Sequence, residues 1–255
     1  VDAAGANITL SGANTYSAGT TLKAGRLKAG ADSTGTGGAL SDGAFGTGTV
    51  TVDKFAELDL NGFTVGNDLN LSGRGIDTDD DGKGDGGALT HGGGQTATLT
   101  GDITIADPDT VIESQGDMVI DGNLTPPANV SELALEFKIG TDDSVTLNSS
   151  LELTVPTTII SGDGDLILTG SIDEAASGVD PAGTALTFAY TGDLEVRGDI
   201  GTTRAIDSLT AGGRYDVNGN LVTAAGNLSL GTQTGITVRT EGNQHYKADV
   251  GTIGD

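Results

Sequence analysis

Gly116-Asp117-Met118-Val119-Ile120-Asp121-Gly122-Asn123-Leu124 reads as Gly, acidic or Asn, apolar, any, apolar, any, Gly, any, apolar. The phrase returns as Gly164-Asp165-Leu166-Ile167-Leu168-Thr169-Gly170-Ser171-Ile172 and as Gly192-Asp193-Leu194-Glu195-Val196-Arg197-Gly198-Asp199-Ile200. A partial copy stands at Gly226-Asn227-Leu228-Ser229-Leu230-Gly231. Each copy reads as a turn, a short strand with one buried face, a Gly bend and a second strand. A phrase that recurs every few tens of residues marks a solenoid, whose units bury their apolar faces against their neighbours. Val119, Leu168, Leu194 and Ile236 are core residues on this pattern.

The same short alternation fills the rest of the chain, as in Thr49-Val50-Thr51-Val52, Leu69-Asn70-Leu71, Ile103-Thr104-Ile105 and Val145-Thr146-Leu147. Ser131 to Ile139 also alternates with period two and reads as a strand. Short strands punctuated by Gly, Asn and Asp fit an antiparallel sandwich or a parallel β-helix. The β-helix is favoured, because the strands are too short for a sandwich. The repeated phrase also keeps its internal phase while the distance between copies varies, as insertions at corners would allow. Turn pairs such as Asn61-Gly62 and Asp121-Gly122 then mark bends within a coil. The expectation is an all-β solenoid over residues 1–255, with roughly 20–30 residues per coil. Corner insertions fall near 77–87, near 124–130 and near 172–183. Pro126-Pro127 is the first place to look for a boundary.

Composition agrees and narrows the function. Apolar residues make up 35% and aromatics 4%, while Gly accounts for 43 residues and Pro for five. Gly without Pro suggests tight corners where positive φ must be cheap. Thirty-six acidic residues against twelve basic give a net charge of -24. Nucleic acid and anionic membranes would be repelled by that field. The charge keeps the protein in solution, and it offers carboxylates to divalent cations. With no cysteine there is no disulfide, thiolate metal site or Cys nucleophile. No apolar run is long enough to insert in a membrane and no signal peptide is evident. The start at Val1-Asp2-Ala3-Ala4 reads as a processed chain or an excised piece.

Leu10-Ser11-Gly12-Ala13-Asn14-Thr15-Tyr16-Ser17-Ala18-Gly19-Thr20-Thr21-Leu22, followed by Gly25-Arg26-Leu27, resembles the passenger-associated repeat of bacterial autotransporters and related giant surface exoproteins. Ala18 stands where that repeat usually has Gly. The likeness continues through Gly46-Thr47-Gly48-Thr49-Val50 and Leu58-Asp59-Leu60-Asn61-Gly62. Weaker likenesses to haemagglutinin-like exoproteins occur at Ala205 to Thr210 and at Gly242 to Tyr246. The resemblance implies a right-handed parallel β-helix outside a Gram-negative cell, serving as a stalk, adhesin or matrix component. Its partners would be a host or neighbouring-cell surface, an extracellular polysaccharide, or other copies of itself.

Asp77-Thr78-Asp79-Asp80-Asp81-Gly82-Lys83-Gly84-Asp85 is the sharpest chemical motif. Alternate carboxylates, Gly at the sixth position and Asp at the ninth match the front of a calcium loop, so Asp77, Asp79, Asp81 and Asp85 are the expected ligands of Ca²⁺. Ala88 stands where an EF-hand has its bidentate Glu. The alternative function is a carbohydrate-active β-helix enzyme, a polysaccharide lyase or hydrolase. Such a site needs acids and bases gathered on one face, whereas Lys23, Arg26, Lys28, Lys54 and the later bases are scattered along the sequence. His91 and His245 are too few and too distant for a zinc site or a nucleophilic triad. Tyr16, Tyr190, Tyr215 and Tyr246 are few enough to be packing residues rather than a sugar-binding strip. The expected protein is therefore a non-enzymatic, secreted or surface-displayed scaffold.

Overall fold

Alternating strands of two to nine residues cannot bury their apolar side chains alone, and this chain buries them by coiling. A computed structural model describes residues 2–127, 130–175, 184–215, 221–223, 226–230, 236–247 and 250–253. The chain divides into two compact units, Val1–Ala128 and Asn129–Asp255, immediately beyond Pro126-Pro127. The solenoid expected over 1–255 thus presents itself as two units, each a parallel β-helix.

In the N-terminal unit the chain visits three sheets in fixed rotation. The first face stacks Asp2–Leu10, Ala24–Ala29, Ala56–Asp59, Leu89–His91 and Val111–Ser114. The second stacks Thr64–Val65, Ala97–Leu99 and Met118–Ile120, and the third stacks Thr20–Leu22, Val50–Val52, Leu69–Leu71, Ile103–Ile105 and Leu124–Thr125. Every one of these pairings is parallel. Asn61-Gly62, at φ 52 and 78, therefore turns a corner between the first and second faces and closes no hairpin.

The C-terminal unit repeats the plan. Leu133–Ile139, Thr157–Ser161, Ala185–Ala189, Ser208–Gly212 and Gln244–Lys247 form its first face. Ser144–Leu147, Asp165–Leu168, Leu194–Val196, Leu228–Leu230 and Val250–Ile253 form its second. Its third face begins with Leu151–Leu153 paired to Ile172–Glu174 and continues through single bridges from Ile172 to Ile200 to Val238. Ile172–Glu174 is thus a strand of the coil, and residues 176–183 of the insertion expected there lie outside the described residues. An antiparallel pair, Arg214–Tyr215 with Leu221–Thr223, and two antiparallel bridges at corners are the departures from the parallel plan among the described residues.

Inward positions stack like on like. Leu27, Leu58, Leu89 and Ile112 share one column, each fully buried. Leu22, Val52, Leu71 and Ile105 share another. In the C-terminal unit Val145, Leu166, Leu194 and Leu228 do the same. Each column removes continuous aliphatic surface from water, at roughly 25 cal/mol per Å². Leu168 and Leu194 are core as read from the pattern, but Val119 and Ile236 are not. Val119 sits beside Thr98 on the outward side of its sheet, where Met118 and Ile120 face in, and Ile236 lies half-buried outside any strand.

The repeated phrase now has a physical reading. Its third and fifth residues point into the core from the second face, and its seventh turns the corner to the third. Corner glycines elsewhere, such as Gly46, Gly62 and Gly73, adopt positive φ as expected, whereas the described glycines of the phrase do not. They are there because a Cβ would strike the coil beneath. At Gly192 it would overlap the carbonyl oxygen of Gly164, at Gly226 that of Gly192, and at Gly198 that of Gly170. Stacked glycines therefore form columns at the corners. The acidic or Asn residue beside each column is a bridge between coils. Asp193 Oδ1 accepts the Asn227 N–H at 2.8 Å, Asp102 Oδ1 accepts the Asn123 N–H at 2.8 Å, and Asp199 Oδ1 accepts the Thr237 N–H at 2.7 Å. These bonds satisfy corner amides that the ladders leave open.

Tyr190 is the largest fully buried side chain, and its hydroxyl has no hydrogen-bond partner. Burial pushes that hydroxyl up to about 12, with the charge of Asp193 adding to the effect. Because the folded value lies above the ordinary one near 10, the resulting stability is complete below pH 10. It is lost as pH climbs through the folded value. In a urea titration, Tyr190→Phe should be at least as stable as the parent at pH 7 and should lack the parent's extra loss of stability between pH 10 and 12. Adding one methyl at a glycine column should be worse: Gly192→Ala should cost about 1–3 kcal/mol. Gly38→Ala, where a Cβ meets nothing within 4 Å, should leave the melting temperature unchanged.

Candidate functional site

The acidic motif is a corner excursion between Leu69–Leu71 on the third face and Leu89–His91 on the first. Its base is closed by two backbone bonds, Asp85 N–H to Ile76 O and Gly86 N–H to Arg74 O, each 3.0 Å. Within it, the Gly82 N–H donates to Asp77 Oδ2 at 2.9 Å, and Thr78 donates to Asp85 Oδ2 through both its amide and its hydroxyl. Gly82 adopts φ 84, the left-handed turn anticipated at the sixth position.

Of the four expected ligands, Asp77, Asp79 and Asp85 come together, with one carboxylate oxygen from each lying within 4.8 Å of the others. Asp81 stands outside this group. Its Oδ1 accepts the Lys83 N–H at 2.8 Å, which makes it a turn-former. Asp77 Oδ1 is buried without a hydrogen-bond partner, so one carboxylate lone-pair direction in the triad is free of protein donors. Hard oxygen ligands around such an atom suit a hard cation.

A second constellation lies on the outer side of the first face of the same unit. Successive coils bring Lys28, Asp59, Thr90 and Glu113 into one row, with Arg26 beside Glu57 in the neighbouring row. Arg26 grips Glu57 with Nε–Oε1 at 2.6 Å and Nη2–Oε2 at 2.9 Å, and Lys28 Nζ lies 3.2 Å from Asp59 Oδ2. Thr90 donates to Glu57 Oε1 at 2.9 Å, and the Asn61 N–H donates to Asp59 Oδ1 at 2.8 Å. The two carboxylate side chains are 7% and 4% exposed, whereas Arg26 and Lys28 keep 39% and 30%. The Glu57 hydrogen bond raises Arg26 above the usual guanidinium range against some lowering by burial, and the charges of Glu57, Asp59 and Glu113 add to the rise. Arg26, Glu57, Asp59, Thr90 and Glu113 border a cleft of about 100 Å³ whose other walls include His91, Gly92 and Gln115, with Lys28 just outside it.

The sequence reading had these bases scattered. They are gathered because one coil separates Arg26 from Glu57, 31 residues along the chain. The available signal was a pair of i, i+2 doublets, Arg26/Lys28 and Glu57/Asp59, one coil length apart. The tyrosines divide: Tyr190 is packed inside, while Tyr16 and Tyr246 are 42% and 36% exposed. The side chain of Tyr215 lies outside the described residues.

No family model, curated protein or solved structure matches this chain. The likeness of the first 70 or so residues to the passenger-associated repeat therefore rests on those sequence phrases alone.

Replacing Glu57 by Ala should strip Arg26 and Thr90 of their shared acceptor. Because Arg26 can turn to water, the loss should be modest, about 1–2 kcal/mol by chemical denaturation. A loss near zero would mean that the bidentate pair is neutral to folding.

Proposed function

We propose that this chain is a non-enzymatic structural or adhesive segment of a bacterial surface or secreted exoprotein: a stalk, adhesin or filament component outside a Gram-negative cell. The observation that carries the reading is the in-register stacking of apolar, glycine and Asp columns in both units. That stacking puts most of the sequence to work in holding a rigid scaffold. The -24 charge and the resemblance over the first 70 or so residues support an extracellular, autotransporter-like setting. Among the described residues no helix is long and apolar enough to cross a membrane.

In this reading the corner loop at Asp77, Asp79 and Asp85 holds Ca²⁺ and stiffens the excursion. The ion would supply charge neutralisation for the carboxylates, and Asp77 Oδ1 would gain the partner it lacks. A catalytic reading draws on the charged cleft, since Asp59 and Glu113 stand two coils apart, roughly 9.6 Å, close to the spacing of inverting glycosidases. Lys28, however, pairs with Asp59 and ties up the carboxylate that proton transfer would need. The scaffold reading is the stronger.

Labelling intact cells that express the full-length gene with an antibody to this segment should stain the surface. Signal only after lysis would overturn the reading. Adding Ca²⁺ to the purified protein should raise its melting temperature, the gain in unfolding free energy being about 2.7 kcal/mol at a hundredfold excess over Kd. Chelator and Asp77→Asn should abolish the rise. Release of reducing ends from a polysaccharide panel would favour the enzyme instead.

A further inference from the structure

The cleft on the first face of the N-terminal unit is not required by the stacking that holds the coils together. The inward columns do that work, and an ion pair with a desolvated carboxylate is weak evidence for stability. What the outer rows create is a dense set of oriented polar groups. Glu57 and Asp59 form a nearly buried floor, held in place by Arg26 and Lys28 from the preceding coil. Arg26 and Lys28 still reach solvent and keep donors to spare. Glu113 continues the row one coil beyond Thr90, and Gln115, whose Nε2 donates to Glu113 Oε1 at 3.4 Å, stands with it at the opposite rim.

We propose that this cleft binds a neutral or amino-bearing sugar unit of an extracellular glycan. Vicinal sugar hydroxyls donate and accept at once, and so they match donors and acceptors set side by side on a rigid sheet. The charge decides between sugar classes. The lining carries Glu57, Asp59 and Glu113 against Arg26, with Lys28 outside the lining and paired to Asp59, so the cleft stays net negative on a chain that carries -24 in all, and uronic and sialic acids are disfavoured. A metal is disfavoured too, because among the described residues the one acidic group close enough to hold an ion is Asp77, Asp79 and Asp85. About 100 Å³ takes the edge of a ring rather than a whole oligosaccharide. Each contact is therefore weak, and attachment would gain strength from many copies acting together. The proposal rests on the adhesive reading only in taking its ligand from an extracellular glycan.

The test is ligand-detected NMR on the whole chain with three probes: cello-oligosaccharides, chitosan oligomers and oligogalacturonate. Binding is expected for the first or second probe and not for the third. Glu113→Gln and Arg26→Gln should each weaken it about tenfold, the loss of one charge-assisted hydrogen bond. Glu113→Gln keeps size and shape, and its melting temperature should match the parent, so that variant carries the test if Arg26→Gln folds poorly. No binding to either neutral or amino probe, stronger binding to oligogalacturonate, or unchanged binding by Glu113→Gln would each overturn the proposal. Surface labelling of cells is independent of the cleft. A failed NMR result with a stained surface removes only the sugar site, and the reverse removes only the adhesive reading.

Discussion

Parallel strands hydrogen-bonded edge to edge hold successive coils about 4.8 Å apart, and that single spacing governs the rest of each unit. At so short a separation, whatever a coil presents at one position lies directly over its counterpart in the coil below. Branched aliphatic residues tolerate this inside, where Leu27, Leu58, Leu89 and Ile112 pile into one column. At corners the chain bends and carbonyls face the next coil, so there is no space for a Cβ and glycine is the answer. Beside the glycines, backbone amides leave the ladder and need an acceptor. Asp102, Asp193 and Asp199 provide it by reaching one coil up.

The same spacing organises charge. Placing Arg26 and Lys28 on one coil and Glu57 and Asp59 on the next turns a like-charge problem into two ion pairs. Side chains opposed across a ladder lie close enough for opposite signs to attract and like signs to repel. The acidic loop follows the other logic. It leaves the coil at a corner, where its carboxylates converge without crowding the stack. Strand faces thus carry ordered rows, and corners carry freely shaped excursions.

Much of this was legible from the phrase itself. Leu166, Leu168, Leu194 and Val196 are buried where period-two alternation puts them, and Leu133–Ile139 is the strand its alternation implies. What stayed hidden depends on which residues lie over which. Stacked partners sit anywhere from 19 to 38 residues apart, because corners differ in length. No fixed offset therefore reveals that Arg26 meets Glu57. Gly62 and Gly82 take the positive φ expected of corner glycines, but those of the repeated phrase are special for another reason: a carbonyl in another coil, invisible in sequence, excludes the side chain. Val119 misled because a β-branched residue suits either side of a strand. Asp81 stands apart from the other three carboxylates because a calcium-type spacing and a simple Asx turn use the same residue.

The two backbone bonds that close the excursion at Ile76 and Asp85 give it a consequence of its own. Ends clasped this way meet at a neck that lies outside the strands, so added length in the loop need not displace the strands on either side. Lengthening such a clasped segment costs only the slowly growing entropy of closing a loop. The stretch between Asp79 and Asp85 is where added length would spare both the coil and the three converging carboxylates.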